Sequence, residues 1–335
     1  MTAFTLVGSL PGTELGAALR MTFDRFPEFA AMPELPARGP WAGIIGRGLG
    51  LPEGLPAELL AGEWRLADVP GIDQRRARAT WRDDLDQLEE TAADYDGRLK
   101  VAITGPWTLA AAVGVAHTGR VLADRGARRD LAQSLADSTS ALLTEVGRRL
   151  PRASLVLQID EPALPAVAAG AVPTPGGFFR HQAVDLPEIV SALHGISAAA
   201  RPQVEAVTMH SCAGWTGPGS NWPVEDLLAE RGTGLDGVSL DVAQLSDADL
   251  DALGRAAETG AWLFLGVLAT QQPLPSVDAL TERTLRLWER LGHPGVERLV
   301  LTPACGLAGW AAAQVTSAVQ LLGRVAGRLD EAAAR

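Results

Sequence analysis

Cysteine is scarce in this chain: among 335 residues there are only two, Cys212 and Cys305. Two cysteines cannot form the disulfide framework that holds small secreted domains together, so that class of protein is excluded. We therefore expect a reducing, cytoplasmic setting. In such a setting both thiols stay available as metal ligands.

Lysine and long apolar segments are scarce as well. Lys100 is the only lysine, no stripe of basic residues is present, and the net charge is −11, so we expect no nucleic-acid partner. No stretch of about 18 apolar residues is free of charges or turn residues, so we expect no membrane span and no membrane partner. The segment Met1–Thr5 lacks the basic start of a secretory signal.

What the chain does contain is a repeated alternation of short apolar segments and helical patterns. We predict strands at Thr5–Pro11, Glu63–Pro70, Lys100–Pro106, Ser154–Pro162, Val204–Ser211, Gly237–Val242, Trp262–Val267 and Arg298–Ala304. We predict helices at Asp73–Tyr95, Arg120–Arg149, Asp185–Ala200, Ser246–Thr259, Ser276–Leu291 and Leu307–Leu329. The alternation predicts an α/β fold, a single (β/α)₈ TIM barrel over residues 1–335.

One long segment does not fit the alternation. Pro27–Pro56 is rich in proline and glycine and is long for a barrel loop, so we predict an excursion over one end of the barrel. Gly170–Gly177 is predicted as a second long loop, after the fourth strand.

Polar motifs follow the predicted strands at their C-terminal ends, where TIM barrels carry their active sites. They include Gly8-Ser9, Asp160-Glu161, His210-Ser211-Cys212, Asp241 and Cys305-Gly306. Strand prediction and motif position agree, so one functional site is expected at this end of the barrel.

Three of these residues form a candidate zinc site. His210 and Cys212 are two positions apart in a strand and project to the same face, and Cys305 brings a second thiolate to the same end of the barrel. Two thiolates and an imidazole suit zinc, and three protein ligands leave a fourth position for a substrate thiol. The alternatives are a buried cysteine beside a hydrogen-bonded histidine, or a disulfide, which a reducing compartment disfavours.

The sequence leaves more than one role open for each carboxylate near these three residues. Asp241 ends the next strand and is predicted either to complete the zinc shell, to orient His210, or to cap a helix. Asp160 and Glu161 are adjacent and point to opposite sides of a strand. An inward Asp160 is predicted to bind a substrate ammonium group or to take a proton, while Glu161 either binds substrate, caps a helix or pairs with an arginine.

Gly8 and Ser9 are candidates for substrate binding. They lie in a turn at the end of the first strand, before Leu10-Pro11-Gly12. Exposed backbone amides next to the start of a helix can hold a carboxylate or a phosphate.

Taken together, the motifs resemble the catalytic half of cobalamin-independent methionine synthase. They are Val7-Gly8-Ser9-Leu10-Pro11, Ile103-Thr104-Gly105-Pro106, Gln158-Ile159-Asp160-Glu161-Pro162-Ala163-Leu164, His210-Ser211-Cys212 and Thr302-Pro303-Ala304-Cys305-Gly306-Leu307. The resemblance implies a zinc ion held by His210, Cys212 and Cys305, homocysteine as the thiol substrate, and methyl transfer to its sulfur. It also implies amino-acid binding by Gly8, Ser9 and Asp160.

Two positions depart from the family pattern. The family supplies a fourth zinc ligand with a glutamate where this chain has Asp241, and a catalytic histidine where it has Gln271. The resemblance also covers one barrel where the full enzyme has two. The methyl donor is therefore open between methyltetrahydrofolate and a methylcorrinoid, free or on a corrinoid protein, since this chain has no Asp-x-His-x-x-Gly cobalamin motif.

Two other functions are compatible with the same motifs. Barrels related to uroporphyrinogen decarboxylase that methylate coenzyme M resemble this chain in their His-x-Cys and distant Cys, so corrinoid-linked alkyl transfer to another thiol is one alternative. The second is a degenerate barrel that binds zinc or methionine without turnover, to which Gln271 and Asp241 point.

Overall fold

The computed structural model describes residues 1–115, 119–228 and 232–334. In chain order its strands are β1 (Ala3–Phe4), β2 (Phe29–Ala31), β3 (Ala57–Leu60), β4 (Glu63–Leu66), β5 (Arg98–Thr104), β6 (Gly114–Val115), β7 (Gly119–Arg120), β8 (Ser154–Asp160), β9 (Ala206–Ser211), β10 (Gly237–Asp241), β11 (Trp262–Leu268) and β12 (Leu299–Pro303). Eight of them form one sheet in the order β1-β12-β11-β10-β9-β8-β5-β2, and every neighbouring pair is parallel.

The sheet closes on itself just beyond the two end strands β1 and β2. Ser9 and Glu34 form a parallel bridge. Leu10 N donates to Glu34 O at 2.8 Å, and Glu34 N donates to Gly8 O at 3.2 Å. The sheet is therefore a nearly closed barrel, and the predicted TIM-barrel class is confirmed.

The second strand of the barrel is not the one predicted. Glu63–Pro70 was expected there, but β4 pairs with β3 in a hairpin of a separate four-stranded sheet with β6 and β7. The barrel strand is β2, inside the segment Pro27–Pro56 that was predicted as an excursion. Its three residues, Phe-Ala-Ala, are all buried, so β2 is too short and too uniformly apolar to show a strand periodicity.

The helices cover the outside of the barrel. They are α1 (Leu15–Arg25), α2 (Ile44–Gly50), α3 (Ile72–Ala92), α4 (Pro106–Ala112), α5 (Arg125–Arg149), α6 (Leu164–Ala168), α7 (Leu186–Ala200), α8 (Val224–Leu228), α9 (Asp247–Glu258), α10 (Val277–Arg290) and α11 (Ala312–Ala333). Each of the six predicted helical segments overlaps one of them: α3, α5, α7, α9, α10 and α11. Asp124, Ser246 and Ser276 cap α5, α9 and α10, each accepting a backbone N–H of the first turn.

The barrel interior is apolar at one end and polar at the other. Phe29, Trp262 and Phe264 stack and meet edge to face in the lower half of the barrel, packed with small and branched residues of the neighbouring strands. This plug fills the N-terminal end, so the polar side chains at the C-terminal ends of the strands line the open end. No helix among the described residues is long and apolar enough to cross a membrane.

Candidate metal centre

The structure brings His210, Cys212 and Cys305 together at the barrel mouth. Their ligand atoms all lie within 4.8 Å of one another, and within the described ranges no other set of histidine, cysteine or acidic residues meets that criterion. His210 is the fifth residue of β9, Cys212 follows the end of β9, and Cys305 lies two residues after β12. The C-terminal ends of two strands that are not neighbours thus supply one ligand set.

His210 is held with one ring nitrogen toward the site. Nδ1 lies 2.9 Å from Ser239 Oγ on the neighbouring strand β10, while Nε2 is buried and has no hydrogen-bond partner among the described residues. A histidine that binds a metal usually gives its other ring nitrogen to a hydrogen bond, which fixes the ring. The ring is therefore set up to offer Nε2.

The two cysteines are reduced and lie close together. Their sulfur atoms are 3.1 Å apart. Contact with Cys212, followed by the nearby His210 ring, lowers the pKa of Cys305 to about 4, and contact with Cys305 raises the pKa of Cys212. One proton shared by two sulfurs, next to an imidazole, is a site that readily exchanges that proton for a cation.

Asp241 lies apart from the three ligands. Its Oδ1 accepts the N–H of Ala243 at 3.0 Å and so caps the short 3₁₀ helix Val242–Gln244. This is the capping alternative among the roles predicted for it. A role of Asp241 as fourth zinc ligand stays a prediction.

Gly8 and Ser9 lie directly against the turn that carries Cys305. Leu307 N donates to Ser9 O at 2.8 Å. A Cβ at Gly306 would collide with Ser9 Oγ, so a larger residue there would force the Ser9 side chain out of its present position. The sequence motifs at the ends of the first and last strands therefore form one wall of the mouth.

Glu34 is a site residue that the sequence did not reveal. It lies at the barrel closure, packed beside Gly8, and its Oε1 is 3.4 Å from Nε of the buried Arg47. Burial raises the pKa of Glu34, although Arg47 lowers it. The only sequence signal was an acidic residue between two prolines, Pro33 and Pro36, in a segment taken for a surface excursion.

Asp160 lies close enough to Glu34 for their charges to interact. Its side chain is buried, and its Oδ1 accepts Gln158 Nε2 at 2.8 Å. Burial raises the pKa of Asp160 well above its usual value, and the negative charge of Glu34 raises it further. A buried acid beside a second acidic group favours a bound cation, so Asp160 with Glu34 suits an ammonium group.

Glu161 points away from Asp160, into the start of α4. It accepts the N–H of Trp107 at 2.9 Å, and the N–H and hydroxyl of Thr108 at 2.8 Å and 2.7 Å. Burial raises its pKa to about 7, while these hydrogen bonds act in the opposite direction. Of the roles predicted for Glu161, this geometry corresponds to helix capping, and its role in substrate binding stays a prediction.

Gln271, which stands where the family has its histidine, is exposed in the loop after β11. Its amide has no acidic proton to transfer at neutral pH. Ser239 and Gln158, which hold His210 and Asp160, were also not predicted, because a single serine or glutamine in an apolar strand carries no distinctive pattern.

Fold and site together define a class of protein: a TIM barrel with one nitrogen and two sulfur ligands converging at its mouth. Residues 85–328, more than half of the chain, match the family described as "Cobalamin-independent synthase, Catalytic domain". The chain belongs to this family, which confirms the resemblance seen in the motifs.

Similar structures extend over the whole chain. A B12-independent methionine synthase from Shewanella sp. W3-18-1, solved in complex with selenomethionine, is 13% identical with a TM-score of 0.67, covering 99% of this chain and 98% of that one. Oxaloacetate acetylhydrolase, in complex with oxalate, is 12% identical with a TM-score of 0.39, over 96% of this chain and 90% of that one. At such identities the likeness to the synthase shows the fold alone. No curated protein matches the sequence.

Proposed function

We propose that this protein is a zinc-dependent methyltransferase that moves a methyl group to the thiol of homocysteine and so forms methionine. The observation that carries the proposal is the convergence of His210, Cys212 and Cys305 at the barrel mouth. Membership in the family supports methyl transfer to homocysteine as the reaction class.

The residues fit zinc as a cofactor. The donor set is one imidazole and two sulfurs, and the imidazole already offers a buried Nε2 without a partner. Zinc sites of this composition are tetrahedral, and three protein ligands keep the fourth position open. Zinc, when bound there, would lower the pKa of a substrate thiol so that the thiolate forms at neutral pH.

The residues around the site would hold homocysteine by its amino-acid part. Glu34 lies beside Gly8 and close enough to Asp160 for their charges to interact, so the two acidic groups suit the substrate ammonium. Ser9 and its turn lie against the turn that carries Cys305. From this position they would bind the substrate carboxylate, which is the role predicted for them. Both ends of the amino acid would thus be fixed next to the thiol-binding position.

The methyl transfer is a single displacement. The thiol loses its proton, the sulfur forms a bond to the methyl carbon, and the bond from that carbon to the donor breaks with its electron pair leaving on the donor. A folate leaving group needs a proton, and Gln271 cannot supply one. A corrinoid leaving group needs none, so Gln271 favours a methylcorrinoid over methyltetrahydrofolate as the donor.

Zinc content is the first test. Protein purified under reducing conditions is expected to hold about one zinc per chain, and Cys305→Ser little, because a site with only three protein ligands depends on each of its thiolates. Cobalt(II) in place of zinc then gives a visible spectrum, which homocysteine is expected to shift. A parent protein without metal, or a spectrum that homocysteine leaves unchanged, would contradict the proposal.

A second function rests on Gln271 and on the position of Asp241 apart from the three ligands. If Gln271 leaves the reaction without its proton donor and Asp241 does not reach the metal, the barrel would bind zinc and methionine without turnover. Methyl donors of the folate and corrinoid classes, each offered with homocysteine and with coenzyme M, separate the functions. Turnover with homocysteine supports the methyltransferase, turnover only with coenzyme M supports the other acceptor, and methionine binding without any turnover supports the binding protein.

A further inference from the structure

The only lysine of the chain lies inside the barrel. Lys100 is the third residue of β5 and is 1% exposed, while every other basic side chain is an arginine. Burial lowers the pKa of its amine to about 7. An amine can give up its proton when buried whereas a guanidinium cannot, so arginine is no substitute at this position.

The immediate surroundings of Lys100 do not balance its charge. Its Nζ lies 5.4 Å from the centre of the Phe264 ring and has no hydrogen-bond partner among the described residues. A buried amine without a partner costs stability, so packing alone does not account for it.

Asp160 is the acidic group whose charge acts on Lys100. In the sheet register Lys100 is paired with Val156, four residues before Asp160 on β8, so the amine lies below the carboxylate and away from the mouth. Gln158 is paired with Ala102 and lies on β8 midway between Val156 and Asp160.

The side chain of Gln158 lies in the barrel interior between Lys100 and Asp160. Its Nε2 donates to Asp160 Oδ1 at 2.8 Å and to Val7 O at 3.1 Å, so its Oε1 is the end turned away from Asp160. Among the described residues, Gln158 Oε1 is a buried acceptor without a partner and Lys100 Nζ is a buried donor without one, so the two atoms do not bond each other directly. A water molecule between two such groups would satisfy both of them.

We propose that Lys100 is a positioning residue for the amino group of the substrate: from below, its positive charge acts through space on the Asp160 carboxylate that receives that group. The inference rests on the proposed function, because it takes an amino-acid thiol as the substrate. Lys100 lies on the far side of Asp160 from the mouth, so its charge acts more strongly on the carboxylate than on an ammonium above it. Lys100 itself does not touch the substrate.

The test compares two ligands that differ only in the amino group. Homocysteine and 4-mercaptobutanoate, which has the same thiol and carboxylate, are titrated calorimetrically into the zinc-loaded parent, Lys100→Met and Lys100→Gln. Both variants are expected to bind homocysteine about tenfold more weakly and to bind 4-mercaptobutanoate within about twofold of the parent, since coupling between sites is commonly of this size. A zinc content equal to that of the parent shows that the barrel mouth of each variant is correctly folded.

A second measurement needs no mutation. Because the chain has one lysine, protein grown on lysine labelled with ¹³C at Cε gives a single side-chain NMR signal from that residue type. Homocysteine and methionine are expected to shift this signal, and 4-mercaptobutanoate to leave it in place. A purely structural lysine would not distinguish the ligands.

The outcomes separate the two proposals. The role of Lys100 would be overturned if both ligands bound more weakly to the same extent, or if both bound as tightly as to the parent. An NMR signal that responds equally to ligands with and without the amino group would overturn it as well. In each case the thiol-binding function would stay intact. A parent that binds neither zinc nor homocysteine would overturn the proposed function, and the role of Lys100 with it.

Discussion

The sulfur atoms of Cys212 and Cys305 lie 3.1 Å apart, although 93 residues separate them in the chain. The distance is longer than a disulfide bond, which is about 2.05 Å, and is short enough for the two thiols to share a proton. The pair can therefore hold a metal ion or, without one, be oxidised.

The first prediction is that zinc and a disulfide exclude each other. After zinc is removed with a chelator and a mild oxidant is added, we expect both thiols to disappear from a thiol titration, because the sulfurs already lie within reach of each other. Zinc uptake should then fail until a reductant is added. Zinc-loaded parent protein and Cys305→Ser are the controls: the first should keep its thiols, and a loss of thiols there would contradict the prediction.

The second prediction concerns the hydroxyl of Ser239. Ser239→Ala removes the hydrogen bond to His210 Nδ1, so we expect zinc affinity to fall about 10–100-fold, as for other residues that orient a metal-binding histidine. Competition with a zinc indicator measures the affinity. Ser197→Ala is the matched control and should bind zinc like the parent, because the Ser197 hydroxyl on α7 is buried and has no partner within the part of the chain that the structure describes. Equal affinities for all three proteins would show that Ser239 does not orient the ring.

The third prediction tests Glu34 as part of the ammonium site. Glu34→Gln removes one negative charge beside Asp160, so we expect homocysteine to bind about tenfold more weakly, while zinc content stays the same. Calorimetry on zinc-loaded protein gives the affinity. Glu28→Gln, an exposed acid just before β2, should behave like the parent. Unchanged binding in Glu34→Gln would leave Glu34 as a structural partner of Arg47.

The fourth prediction separates the two roles of Glu161. Glu161→Ala leaves the N–H of Trp107 and two donors of Thr108 without their acceptor, so we expect the free energy of unfolding to fall by about 2–4 kcal/mol. Denaturant unfolding measures this loss, and Thr108→Val, which removes one of the donors, should lose less. Full stability together with lost homocysteine binding would instead place Glu161 in the substrate site.

The fifth prediction is a pH dependence set by Lys100. The folded amine has a pKa of about 7 against an ordinary value of 10.5, so between these values the unfolded chain binds more protons and the contribution of Lys100 to stability rises with pH. Lys100→Met removes this dependence. We expect the variant to be more stable than the parent by roughly 2–4 kcal/mol at pH 7 and below, with the difference shrinking toward pH 10. Denaturant unfolding across this range checks it, and a constant difference would contradict the assigned pKa.

Much of the fold could be predicted because it follows from local patterns. Seven of the predicted strands overlap strands of the barrel or the bridge that closes it, and the amphipathic spacing located α3, α5, α7, α9, α10 and α11. The strand β2 was missed because three buried residues carry no periodicity, and Glu63–Pro70 was assigned to the barrel because alternation alone cannot tell which sheet a strand joins.

The sequence by itself determined the candidate ligand set, since only two cysteines exist and each follows the end of a strand. Only the tertiary structure brought Glu34 to Asp160, Ser239 to His210 and Gly306 to Ser9, because these contacts join strands far apart in the chain. It also turned Glu161 into α4 and placed Lys100 beneath Asp160. Side-chain chemistry can be read from a sequence, but the partner that gives a buried charge its role is set by strand register and barrel closure.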